Sequence, residues 1–341
     1  MEVGNTYGNG LLFAAFNQDQ GCFAVGLENG FRIFNCDPLK QKEQEEFADG
    51  GIGHVEMLFR CNYLALVGGG RSPKYPRNKV CIWDDVRKEA VISLELATDV
   101  KAVRLRRDRI VVVLEGLIKV FSFTANPQLL QVHETAPNPR GLCALCPSSQ
   151  RSVLAFPGRG FGDVQLVQLG LPDRMPLIIS AHEGHLSALC LNSDGTLLAT
   201  ASEKGTLVRV FDTEEGGKVY ELRRGAQPAA IHCINFSADS AHLCLSSDHG
   251  TVHVFALHHP SRSNKKLVPK YFRSVTSMCQ VKLPSSGPGG KKNAGPAICA
   301  FGSQPNTLIV VCADGSFFKF AFTDKGDVSR LNYASFLEMA D

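Results

Sequence analysis

The sequence predicts an all-β chain: a seven-bladed β-propeller of the WD-repeat type, with a long loop inserted in blade six. Three observations carry this prediction. First, one pattern recurs seven times: an apolar run, a polar turn, a second apolar run, a Gly turn, then a strand ending on an aromatic residue or Val. Second, the markers at the start of each third strand (30, 78, 116, 162, 205, 250 and 315) lie 48, 38, 46, 43, 45 and 65 residues apart. Most of these intervals are near the roughly 40–45-residue period of a four-stranded blade. Third, the runs are short, rich in Val, Leu, Ile and Phe, and parted by Gly or Asp turns, as strands are. A pair of β-sandwiches is the alternative, and it would not require so regular a period.

The first copy covers 11–16, 21–26 and 30–34; the second, 55–59, 63–67 and 78–83; the third, 102–105, 110–114 and 116–121. The fourth covers 142–146, 152–156 and 162–167, and the fifth, which is the clearest, 186–191, 197–201 and 205–212. The sixth covers 231–236, 242–246 and 250–255; the seventh, 297–301, 307–312 and 315–320. A further short segment follows each copy as an outer strand, such as 91–96 or 219–222. One blade cannot bury its own faces, so the ring folds as a single unit, residues 1–341, and radial closure protects its edges.

The long interval is the sixth. Residues 258–296 form its insertion, and 256–296 hold eight of the chain's 36 Lys and Arg and none of its 33 Asp and Glu. Against the chain's net +3, the remainder therefore carries −5. Lys265, Lys266, Lys270 and Arg273 stand beside Tyr271 and Phe272. Cations mixed with aromatics suit an anionic membrane surface, at about 1 kcal/mol per cation. An ordinary insertion without such a role is the competing reading.

The chemistry centres on Tyr220-Glu221-Leu222-Arg223-Arg224-Gly225. Side chains alternate along a strand, so two adjacent arginines serve two separate anion pockets. Arginine's planar fork suits phosphate, and Gly225 lets the chain turn. Upstream lie Thr200, Ser202, Thr206 and Arg209; downstream lie Ser246, Ser247, Thr251 and His253. Each set places hydroxyls and a cation around a Gly turn. A protonated His253 would bind phosphate more strongly, making that pocket pH-sensitive. Hydroxyls that merely satisfy turns are the plainer reading.

Other signals are weak. Cys143 and Cys146 have metal-ligand spacing without a second pair, and His182 and His185 resemble half a site at a blade entrance, so no metal is expected. The Gly-rich stretches at 68–71 and 158–162 are not P-loops. No Ser–His–Asp set or carboxylate pair is visible, so no enzyme and no cofactor are expected. Arg104, Arg106, Arg107 and Arg109 read as a solvated strand edge rather than a nucleic-acid patch. The 12 cysteines are scattered through apolar runs, as buried reduced thiols of a cytosolic protein are. The sequence shows neither a signal peptide nor a run of 18 apolar residues.

The sequence resembles the PROPPINs, β-propellers that bind phosphoinositides and are called WIPI proteins in animals. Three stretches carry the resemblance: Leu222-Arg223-Arg224-Gly225, Ala199-Thr200-Ala201-Ser202-Glu203-Lys204-Gly205-Thr206, and Ser246-Ser247-Asp248-His249-Gly250-Thr251. Leu222, with His54-Val55-Glu56-Met57-Leu58-Phe59-Arg60 and Cys81-Ile82-Trp83-Asp84-Asp85, is similar to the branch that engages the lipid-transfer protein of autophagosome growth. The resemblance implies a monomeric membrane adaptor for phosphatidylinositol 3-phosphate and phosphatidylinositol 3,5-bisphosphate. It would be cytoplasmic and peripheral on preautophagosomal, endosomal or lysosomal membranes. It further implies a first pocket of His182, Thr200, Ser202, Thr206, Arg209 and Arg223, and a second of Arg224, Ser247, Thr251 and His253. Lys265, Lys266, Lys270, Tyr271, Phe272 and Arg273 would contact the membrane. Blades one to three would recruit partners, with Asn17 and Asp19 as candidates. The other class of function is a protein-binding scaffold whose basic loop docks acidic partners without lipid specificity.

Overall fold

A computed structural model of the chain describes residues 1–48, 50–148, 150–257, 274–284 and 295–339. Blade one is β1 (Leu11–Phe16), β2 (Cys22–Leu27), β3 (Gly30–Cys36) and β4 (Leu39–Glu46). Blade two is β5 (Ile52–Met57), β6 (Tyr63–Gly68), β7 (Lys79–Asp84) and β8 (Glu89–Glu95). Blade three is β9 (Ala102–Arg106), β10 (Arg109–Val113), β11 (Leu117–Ser122) and β12 (Leu129–Glu134). Blade four is β13 (Ala144–Leu145), β14 (Val153–Pro157), β15 (Asp163–Gln168) and β16 (Leu177–Ser180). Blade five is β17 (Leu186–Leu191), β18 (Leu197–Ser202), β19 (Leu207–Asp212) and β20 (Lys218–Arg223). Blade six is β21 (Ile231–Phe236), β22 (His242–Ser247) and β23 (Thr251–Ala256). The chain then runs through β24 (Val275–Thr276), which joins blade five, before β25 (Cys279–Lys282) completes blade six. Blade seven is β26 (Ala297–Phe301), β27 (Thr307–Cys312), β28 (Ser316–Phe322) and β29 (Val328–Ser335).

Five blades are sheets of four sequence-consecutive antiparallel strands, as the repeat predicts; blade five gains β24 as a fifth, parallel strand beside β20, and blade six takes β25 as its fourth strand. The second strands are buried on both faces, which is why they read as unbroken apolar runs; β2 and β27 are buried throughout. Outer strands such as β4, LKQKEQEE, are largely solvated. Apolar clusters fill each junction between neighbouring blades: Phe31 meets Trp83 between blades one and two, and Phe317 meets Phe23 where blade seven returns to blade one. All twelve cysteines are free thiols, and only Cys61 is exposed.

Three expectations need correction. The insertion lies within blade six as expected, but 258–296 is not one uninterrupted loop, because 274–284 carries β24 and β25. The inner strand of blade four is shorter than 142–146. The Asn138 side chain accepts from Leu142 N at 2.8 Å and donates to Leu142 O at 3.0 Å, taking both backbone groups out of the ladder. The basic cluster of blade three is a solvated edge only at Arg107, which is exposed. Arg106 is buried and forks onto Asp108 at 2.6 and 2.9 Å, while Arg104 pairs with the half-buried Glu56 at 3.5 Å.

Candidate functional site

Alternation along β20 distributes the side chains. Leu222 is fully buried in the cluster between blades five and six. Glu221 and Arg223, one position to either side, lie on the opposite face, toward blade four. Arg224, two beyond Leu222, turns to blade six. The two arginines therefore do serve opposite sides of one strand end.

On the blade-four side, Arg209 lies opposite Glu221. Its Nε donates to Glu221 Oε2 at 3.0 Å and its Nη1 to Ala181 O at 2.7 Å. Lys218 Nζ reaches the same carboxylate at 2.7 Å. That hydrogen bond, with Arg209 beside it, holds the Glu221 carboxyl below the usual carboxylate range. His182, in the connection from blade four, places Nε2 3.0 Å from Thr200 Oγ1, and both residues are buried. Ser202 is half-buried at the end of β18. Arg223 Nε donates to Ser274 Oγ at 3.4 Å. Thr206 sits at the divide between the sides: it is buried just before β19, and its carbonyl accepts from Arg224 N at 2.9 Å.

On the blade-six side, Arg224 is buried. Its Nε donates to Gly205 O at 2.8 Å, Nη2 donates to Gln227 O, and Nη1 lies 3.5 Å from His249 Nδ1. Gly205 has φ +59°, and a Cβ there would fall 1.8 Å from Ala229 O, so this turn requires glycine. Gly225 does not: a Cβ would meet nothing within 4 Å. Ser247 Oγ, Thr251 Oγ1 and His253 Nε2 follow one another at 3.5 and 3.3 Å. Ser246 turns away and donates to Ala297 O at 2.6 Å.

The expectation that His253 acts as a cation is corrected. Burial first, then Arg224 and His249, lower its pKa to about 4, and burial with Arg209 does the same to His182. Both rings are neutral at pH 7. The consequence for stability has a definite sign. The folded pKa lies below the ordinary 6.5 of an exposed imidazole, so the unfolded chain takes up protons first as pH falls. The fold should lose about 2 kcal/mol per ring between pH 7 and pH 5. Denaturant midpoints at the two pH values, with His182→Gln and His253→Gln for comparison, check this; a parent whose midpoint does not move contradicts it.

The remaining candidates divide as follows. Asn17 is buried, and its amide is spent on Phe59 O at 3.1 Å and Cys22 N at 3.0 Å, so it holds a turn rather than facing a partner. Asp19 is half-exposed and paired with Arg60 at 3.0 Å. Lys265, Lys266, Lys270, Tyr271, Phe272 and Arg273 lie outside the described residues. Among the described residues no three His, Cys, Asp or Glu groups could hold a metal. Cys143 and Cys146 are buried, and the His185 ring packs edge-on against Phe161 at 4.6 Å. No helix among the described residues is long and apolar enough to cross a membrane. The sequence did not single out Glu221, Lys218, Ser274, Ser277 or Gln280. Glu221 alone had a signal, standing two residues before Arg223 on the same strand face.

The PROPPIN family model matches residues 11–277. The chain belongs to the PROPPIN family. SVP1-like protein 2 of Pichia angusta is 42% identical over 284 residues, covering 78% of this PROPPIN and 79% of the relative. Autophagy-related protein 18 of Dictyostelium discoideum is 34% identical, covering 95% and 92%. The crystal structure of a Kluyveromyces marxianus Hsv2 superposes with a TM-score of 0.80 at 26% identity, covering 96% of this PROPPIN and 99% of that chain. A complex of KlAtg21 with the coiled coil of AgAtg16 gives 0.78 at 25% identity, with the same coverage. These relations place this PROPPIN in a binding and scaffold family of autophagy-related, phosphoinositide-binding propellers.

Proposed function

We propose that this chain is a peripheral membrane adaptor that recognises phosphatidylinositol 3-phosphate and phosphatidylinositol 3,5-bisphosphate. One observation carries the reading: the two arginines at the end of β20 turn to opposite sides, Arg223 to the side that holds the buried His182–Thr200 pair and Arg224 to the side where Ser247, Thr251 and His253 follow one another. Neutral imidazoles and hydroxyls donate to phosphate oxygens, and the guanidinium supplies the charge. The first pocket comprises His182, Thr200, Ser202, Arg209 and Arg223, the second Arg224, Ser247, Thr251 and His253, with Thr206 at the divide. Two modest pockets on one surface raise each other's effective concentration, and the cationic 258–273 segment (the membrane contact in this reading) adds to that surface. The adaptor would recruit the lipid-transfer protein of autophagosome growth to preautophagosomal, endosomal or lysosomal membranes. Asp19, Arg60 and neighbouring residues of blades one to three would form the partner side.

Liposome flotation at matched surface charge tests this. Binding to vesicles bearing the 3-phosphate or the 3,5-bisphosphate should exceed binding to 4,5-bisphosphate or phosphoinositide-free vesicles. Binding that follows only surface charge and fades with salt would favour the scaffold reading, in which the basic segment docks acidic proteins. The coiled coil seen on the KlAtg21 relative makes protein recruitment part of either reading.

A further inference from the structure

The return limb of the insertion, residues 274–280, is tied into both pockets. β24 runs parallel to β20, pairing Leu222 with Val275 and Arg223 with Thr276. This sets Ser274 against Arg223 and carries the chain to Ser277, whose Oγ lies 3.3 Å from His253 Nδ1. β25 then pairs with β23, placing Gln280 opposite His253. Cross-strand partners share a face of the sheet, so Gln280 stands beside His253 on the side toward blade five.

The direction of the hydrogen bonds matters here. Gln280 Nε2 donates to Ser277 Oγ at 3.1 Å. A hydroxyl carries one proton, and Ser277, accepting from Gln280, has that proton to give to His253 Nδ1. The neutral ring then carries its hydrogen on Nε2, the nitrogen 3.3 Å from Thr251 Oγ1. The other tautomer would turn a lone pair toward the pocket and repel a phosphate oxygen.

We propose that Ser277, oriented by Gln280, is a positioning residue of the second pocket, fixing His253 as the Nε2–H tautomer so that the imidazole donates to a bound phosphate. The return limb thereby belongs to headgroup recognition and not only to membrane contact. This inference rests on the two-pocket reading above.

The test uses the full chain with ¹⁵N-labelled histidine. Two-bond ¹H–¹⁵N correlation spectra, with His253 assigned from its Gln variant, should show Nδ1 as the unprotonated nitrogen. Ser277→Ala should mix or reverse the tautomers, Gln280→Ala should do so more weakly, and Ser277→Thr should restore the parent pattern. Affinity is read by calorimetry with soluble dibutanoyl phosphatidylinositol 3-phosphate in an Arg223→Ala background, where only the second pocket acts. Ser277→Ala should weaken binding by roughly 5- to 20-fold, the effect of one lost hydrogen bond; Ser277→Thr should stay within about 2-fold. Unchanged tautomer and affinity in Ser277→Ala, beside loss of binding in Arg224→Ala, would overturn this inference alone. A parent chain that takes up no headgroup would overturn the two-pocket reading instead, while the spectra still decide whether Ser277 positions the ring.

Discussion

Arg223→Ala combined with Arg224→Ala should abolish binding to phosphoinositide vesicles, lowering apparent affinity by on the order of 10³-fold while the propeller stays folded. Charge-assisted hydrogen bonds contribute about 1.5–3 kcal/mol each, or roughly 10- to 100-fold per pocket, and the two pockets multiply because they act on one surface. The two arginines should nonetheless differ in what they do for the fold. Arg223 is half-buried, and its described partner is Ser274 at 3.4 Å. Its loss should leave stability nearly unchanged. Arg224 is buried and donates to the carbonyls of Gly205 and Gln227. Its truncation leaves those carbonyls unpaired, at about 1–3 kcal/mol. Flotation of both single variants and the double variant, with denaturant unfolding alongside, separates the two effects. A double variant that is folded and still floats with the 3-phosphate as the parent does would remove the arginine pair from the site.

Which features were legible in the sequence follows a physical division. The seven repeats were visible because second strands such as β2 and β27, buried on both faces, must be apolar throughout. The opposed arginines were visible because strand alternation is local and Leu222 marks the core side. Features fixed by contacts distant in sequence were not legible. Ser274 meets Arg223 across 51 positions and Ser277 meets His253 across 24, and two serines in a polar stretch carry no pattern. β24 is two residues long and gains its pairing only by lying against blade five. Charge states were equally hidden: His253 reads as a cation in the sequence, but burial makes it neutral. Gly225 marks the motif without its backbone requiring glycine, whereas Gly205, two strands of the site away, does require it.

The ring's closure gives the largest expected effect on stability. Blades one and seven are each built from four consecutive strands, β1–β4 and β26–β29, so among the described residues no strand from one end of the chain completes a blade at the other. Blade seven meets blade one through side chains instead. After β29 a short 3-10 turn, Phe336–Glu338, brings Phe336 into the junction fully buried. Its ring lies edge-on to Phe23 at 5.3 Å and to Phe34 at 5.4 Å. The turn is held by Phe336 N donating to Gly315 O at 2.9 Å and by Arg32 Nη1 donating to Leu337 O at 3.1 Å. Phe336→Ala should therefore cost about 3–5 kcal/mol, the usual effect of emptying a buried aromatic site, against a total stability of roughly 5–15 kcal/mol. Phe336→Leu should cost less, since most of the volume remains. The pockets lie in blades five and six, away from this junction, so Phe336→Ala kept cool and folded should bind headgroup as the parent does. This is the reverse of the arginine pair, where binding is lost and the fold remains. A loss below about 1 kcal/mol in denaturant unfolding would mean that the ring is held closed by its remaining contacts, and that the aromatic junction merely fills space.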